Sequence, residues 1–206
     1  MLTVKFYHTH KGVQMKTVGL LLAVALFAVF AQSISAQSKY DSRNIKMKVA
    51  GTSTLHDWEC PVNKAYVKAD LTINNNEIQS INSVWMDAEV KSIKSGKDGM
   101  DEKIYDTFDA DKNPKITFQF TKTKSIEKNG DVWNITVSGN MTMGGTTMPV
   151  DLVVKAKMLP NGDVEISGTK KLKMTTFKMD PPSAMLGVVK SGDDVTISFT
   201  VDLKKL

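Results

Sequence analysis

The chain has 206 residues, 24% of them charged, with a formal net charge of +5 at neutral pH. That length suits one domain with at most an appendage. Its lysines alternate with acids and threonines and form no basic run interleaved with aromatics, which argues against a nucleic-acid partner, and the lone cysteine, Cys60, rules out an intramolecular disulfide.

The appendage is N-terminal. After Met15 and Lys16 runs VGLLLAVALFAVFA, residues 18–31, followed by a small-residue stretch ending at Ala36. Fourteen apolar residues fall short of the roughly 20 needed to span a bilayer. A basic start, a short apolar middle and a small-residue exit describe a secretory signal peptide, residues 1–36, removed after Ala36. The mature domain is then 37–206, periplasmic or secreted. Loss of Lys5, Lys11 and Lys16 lowers its charge to +2. No cysteine stands at the cut, so neither a lipid anchor nor stable membrane insertion after processing is expected.

From about residue 42 apolar residues recur at every second position, the period of a strand with one face buried. A noisy run at 42–50 leads into STLHDWEC, residues 53–60, which gathers a serine, a histidine, an aspartate and a cysteine. Neighbouring side chains along a strand point to opposite faces, so His56 and Asp57 are not expected to meet as base and orienter. His56 is the only histidine of the mature chain and reads as a structural residue. Cys60 reads as a buried or half-buried free thiol, and no catalytic residue is assigned.

Further runs follow at 65–73, 78–93 and, after an interruption, 116–120, 132–143, 150–158, 164–166 and 195–203, making eight. Residues 132–143, VWNITVSGNMTM, alternate best: Trp133, Ile135, Val137, Met141 and Met143 share one face. Asn74 to Asn76, Asn129-Gly130, Gly144-Gly145 and Asn161-Gly162 supply turns that tolerate positive φ, so consecutive strands should pair antiparallel. The interruption, residues 98–113, has acids at its front and Ile104 and Phe108 four apart, which predicts a short helix ended by Pro114. Within it DADKN, residues 109–113, imitates the start of a calcium loop. The sixth and twelfth positions hold Pro114 and Phe120 instead of glycine and glutamate, so no metal site is expected, and no cofactor. PPSAMLG, residues 181–187, reads as a connection packed across an open end.

Eight alternating strands suit an all-β protein. An up-and-down antiparallel barrel is preferred to a sandwich because closure removes exposed edges. A barrel of this size is either filled by side chains or holds one small ligand. Ten of the twelve methionines lie in the mature chain, and their unbranched side chains adapt to irregular space.

The segment GNMTMGGTTMPV, residues 139–150, resembles the hairpin of the YceI-like family, with Gly139, Thr142, Gly145, Thr147, Pro149 and Val150 in the matching places. Residues 100–120 resemble that family's short helix leading through a proline turn into an aromatic-bearing strand, matched by Phe108, Pro114 and Phe118; DDVTISFTVDL resembles its last strand. The resemblance implies an exported, lipocalin-like barrel holding a long isoprenoid or related amphiphilic lipid, with no catalytic machinery. The expected lining is Trp85, Met86, Phe108, Phe118, Phe120, Val137, Met141, Met143, Leu152, Val154, Ile166, Phe177, Met185 and Phe199, with His56 or nearby hydroxyls at the polar mouth. The sequence leaves room for a homodimer. Two rivals stand beside this reading: an enzyme acting on a lipid headgroup through His56, Asp57 or Cys60, and an interaction module with a solid core.

Overall fold

A computed structural model of the chain describes residues 36–206, with the Met185 side chain excepted. The expected signal peptide therefore lies outside the described residues but for Ala36. The elements in chain order are β1 (Ala36–Ser53), β2 (Trp58–Pro61), β3 (Ala65–Asn74), β4 (Glu77–Glu89), α1 (Asp98–Phe108), β5 (Lys115–Asn129), β6 (Val132–Met143), β7 (Thr146–Met158), β8 (Val164–Lys173), β9 (Ser183–Ala184) and β10 (Val189–Lys205).

Eight of these strands pair antiparallel in the order β1-β3-β4-β5-β6-β7-β8-β10, and β10 returns to β1 from Tyr40↔Lys205 to Ser53↔Ser191. The sheet is a closed barrel with one short helix between strands. The small strands β2 and β9 are additions, on the C-terminal half of β1 and the start of β10.

Alternation governs which way each strand faces. Along β6 every second residue from Trp133 to Met143 is buried, and along β7 Thr147, Pro149, Asp151, Val153 and Lys155 are exposed while their even-numbered neighbours turn inward. The wall is thus polar outside and apolar inside, the inverse of a barrel that faces lipid with its outer surface. No helix among the described residues is long and apolar enough to cross a membrane.

The two ends differ. At one, tight turns join β3 to β4, β5 to β6 and β7 to β8; Asn75 and Asn76, both at positive φ, make the first. Tyr40, Trp133 and Val164 are buried there, and the Tyr40 hydroxyl donates to the Gly162 carbonyl at 3.3 Å. At the other end only β6–β7 is a tight hairpin. The connections 54–64, 90–114 and 174–188 are long and carry β2, α1, β9 and short 3₁₀ turns.

Those long connections are stitched together by backbone hydrogen bonds. Asn63 N–H donates to Ser92 O at 3.0 Å and Lys94 N–H to Pro61 O at 3.0 Å. The start of α1 is held by Asp101, buried, which accepts from both the amide and the hydroxyl of Ser95 at 2.7 Å and pairs with Lys94 at 3.2 Å. Burial alone would raise the Asp101 carboxyl, but the Ser95 bonds and the Lys94 charge outweigh it and hold the group below its ordinary value. The helix spans Asp98–Phe108 and ends at Asp109 in the left-handed region, φ 46°, five residues before Pro114 where the sequence had placed the stop.

Candidate functional site

The barrel is hollow. Its lumen holds a cavity of about 650 Å³, within the ~300–1,000 Å³ range of preformed small-molecule sites. Leu71, Ile78, Ile135 and Leu203 border it towards the plugged end; Met86, Phe118, Val137, Met141, Leu152, Val154, Ile166 and Phe199 form the wall. At the mouth stand Ser53, Leu55, His56 and Trp58, the α1 residues Gly99, Met100, Lys103, Ile104, Thr107 and Phe108, and Pro182, Ser183 and Ala184.

The same local device recurs three times along the wall. A β-carbon added at Gly139 would sit 2.3 Å from the Phe118 ring, at Gly168 2.7 Å from the Phe199 ring, and at Gly51 2.4 Å from the Trp58 ring. Each aromatic thus lies in the space a neighbouring strand's missing side chain vacates, so that large rings lean along the wall and the axis stays open. Glycine in a strand marks such close approaches.

The mouth has an apolar lip. Leu55 is 68% exposed and Val188 73%. Their loops are tied side by side, because Thr54 N–H donates to Lys190 O at 3.0 Å and the Thr54 hydroxyl to Val188 O at 3.3 Å.

STLHDWEC turns out to be the reversal from β1 into β2. The Ser53 hydroxyl donates to the His56 carbonyl at 2.7 Å and accepts from the Leu55 and His56 amides at 3.2 Å, closing the turn. His56 Nδ1 lies 2.7 Å from the backbone carbonyl of Asp57, not its carboxylate. Cys60 pairs with Val49 in register and is fully buried, away from the cavity lining. Burial first, then the charges of Asp101 and Glu59, push its thiol up to about 11, the reverse of what activates a nucleophilic cysteine.

Ten of the expected lining residues border the cavity: Met86, Phe108, Phe118, Val137, Met141, Met143, Leu152, Val154, Ile166 and Phe199. Three do not. Trp85 precedes the inward Met86 and so faces out, 38% exposed and edge-on to Tyr66 with ring centroids 6.3 Å apart. Phe120 lies at a register shift between β5 and β6 and is half-buried, packed against the core without bordering the cavity. Phe177 is fully buried in the 3₁₀ turn Met174–Phe177 beneath the connection to β9. The side chain of Met185 lies outside the described residues. Sequence reasoning passed over Trp58, the inner face of α1 other than Phe108, and Lys170; the last was legible in the alternation Ile166, Gly168, Lys170, Leu172 once β8 was extended past Ile166.

Comparison with known proteins agrees with this architecture. The YceI-like domain profile matches residues 47–203. The chain belongs to the YceI-like family. It is 36% identical over 122 residues to a UPF0312 protein of Pseudomonas aeruginosa, a match covering 55% of this chain; the chain spans about half the length, 53%, of that relative. Among solved structures, BcnA of Burkholderia cenocepacia superposes with a TM-score of 0.61 at 19% identity, covering 77% of this chain and 95% of that one. A polyisoprenoid binding domain from Saccharophagus degradans, described as implicated in plant cell wall breakdown, gives 0.60 at 11% identity, covering 82% and 98%. At these identities the two structures share the barrel.

Proposed function

We propose that this YceI-like protein is exported and holds one long isoprenoid or related amphiphilic chain inside its barrel, as a periplasmic or secreted carrier or sequestering protein. The observation that carries the reading is the 650 Å³ lumen, walled by aliphatic, aromatic and methionine side chains and open at one end only. The description of a structural relative as a polyisoprenoid binding domain supports it. A solid-core interaction module would need that volume filled. A headgroup enzyme working through the 53–60 stretch would need His56, Asp57 and Cys60 to converge, whereas His56 and Asp57 are exposed in the turn and Cys60 is fully buried.

The energetics set a minimum cargo. Burying a methylene contributes about 0.8 kcal/mol, so a five-carbon isoprene unit contributes roughly 4. Association costs about 4–15 kcal/mol and micromolar binding needs about 8 net. The gross gain needed is about 12–23 kcal/mol, roughly three to six units, so a cargo on the order of four or more units is required and short terpenes fall short. Native mass spectrometry of the mature protein from its own host, followed by denaturing extraction, tests the reading. An adduct that extracts as a hydrocarbon-rich lipid is expected. A protein that emerges unliganded from the host and takes up no geranylgeraniol when offered it in solution would overturn the reading.

A further inference from the structure

One lumen position breaks the apolar pattern. Lys170 lies on β8 between Gly168 and Leu172, the same inward face as Ile166, and it borders the cavity. Its register partner on β10 is Ile197, whose partner on β1 is Val49, and both of these also line the cavity. It stands three residues before the end of β8, which at ~3.3 Å per residue is roughly 10 Å inside the strand end. Lys170 is half-buried, and among the described residues it makes no ion pair and donates no side-chain hydrogen bond. Asp151 feels its charge but sits on the outer face, already held by Lys124 and by the Ser138 hydroxyl.

The charge balance of the lining points the same way. Among the described residues that border the cavity, the charged groups are Lys170 and, at the mouth, Lys97 and Lys103; no aspartate or glutamate is among them. Lys103 has only a distant contact with Asp106, at 3.9 Å on the helix surface. An ammonium withdrawn from water into apolar walls is costly unless an anion or acceptor accompanies it. Among the described residues the lining provides no anion, and Lys170 donates to none of its hydroxyls.

Building on the lipid-cavity reading, we infer that the cargo has an anionic head, a phosphate or carboxylate, and that Lys170 is its counterion inside the mouth. The chain lies deeper, against Leu71, Ile135 and Leu203. The head sits level with Val49 and Ile197, with Lys97 and Lys103 flanking its exit.

The test uses two probes with one hydrocarbon chain, geranylgeranyl phosphate and geranylgeraniol, titrated below their micellar concentrations into the mature protein at pH 8, with inorganic phosphate as a third titrant. A hydrogen bond to a charged partner contributes about 1.5–3 kcal/mol, so wild type should bind the phosphate at least ~10-fold more tightly than the alcohol. Lys170→Met should remove that preference by weakening the phosphate far more than the alcohol, and Lys170→Arg should keep most of it. Melting curves for both variants establish that they are folded. Equal affinity of wild type for the two probes overturns the inference, as does a preference that survives Lys170→Met or vanishes only with Lys97→Gln and Lys103→Gln. Inorganic phosphate binding as tightly as the lipid phosphate would also overturn it, since the site would then be a plain anion site. Failure of wild type to bind either lipid probe is a different result: it rejects the cavity reading on which this inference rests.

Discussion

The two ends of this barrel are built from the same strands and do opposite things. At the plugged end the connections are short and Tyr40, Trp133 and Val164 are buried. At the mouth the strands hand over to three long connections whose side chains line a hollow instead of filling it. Packing at the first end closes the barrel, whereas the connections at the second bury Cys60, Val90 and Phe177 beside the opening and leave the lumen itself unfilled. Close-packed interiors resist change in volume, so the same substitution should have different consequences at the two ends.

The largest effect is expected from Trp133→Ala, which empties a packed site at the plugged end. A loss of about 3–5 kcal/mol is expected in urea unfolding, against about 1 kcal/mol for Ile104→Ala on the half-exposed inner face of α1. Equal losses would erase the distinction between the ends. Next is Gly139→Ala, where the new methyl would meet the Phe118 ring at 2.3 Å and the Gln119 carbonyl at 2.6 Å. Because backbone must move, about 1–3 kcal/mol should be lost, and any displacement of Phe118 towards the axis should lower retained lipid in the extracted protein. An alanine variant with wild-type stability and lipid content would show that the ring has no need of that glycine.

Acid should act on the mouth before the plugged end. The Asp101 carboxyl is depressed in the folded chain, so its stabilisation is complete above the ordinary value of 3.8 and is lost as pH falls through the lower folded value. In amide NMR spectra recorded between pH 5 and pH 2.5, α1 signals should lose dispersion before those of β6. Simultaneous loss would mean that Asp101 does not anchor the helix separately. The smallest effect is expected at His56→Ala, an exposed turn residue at the rim of the mouth whose ring nitrogen lies against the Asp57 carbonyl. Stability within about 0.5 kcal/mol of wild type and unchanged lipid retention are expected; loss of all ligand would make His56 part of the binding site.

Much of the architecture was readable because a strand with one wet face repeats every two residues, and turns betray themselves by asparagine and glycine. The interior of β6 from Trp133 to Met143 follows from that period alone. Its failures are equally physical. Trp85 and Met86 are adjacent, so alternation permits only one of them inside, and hydrophobicity by itself chose both. Phe120 is the last residue in register before an irregularity in the β5–β6 ladder that no periodicity announces. Phe177 is buried by a connection whose path depends on what it folds over.

Composition and alternation by themselves therefore determined an all-β chain with an apolar interior and a polar outer wall, because each strand carries its own record of which face is buried. Whether that interior would be solid or hollow was decided only in three dimensions. It depends on where rings from one strand fall relative to glycines on the next, Phe118 on Gly139 and Phe199 on Gly168, and on whether an unpaired ammonium such as Lys170 ends up facing the lumen. Such relations between strands have no fixed spacing along the chain, and closure of the barrel is what brings them together.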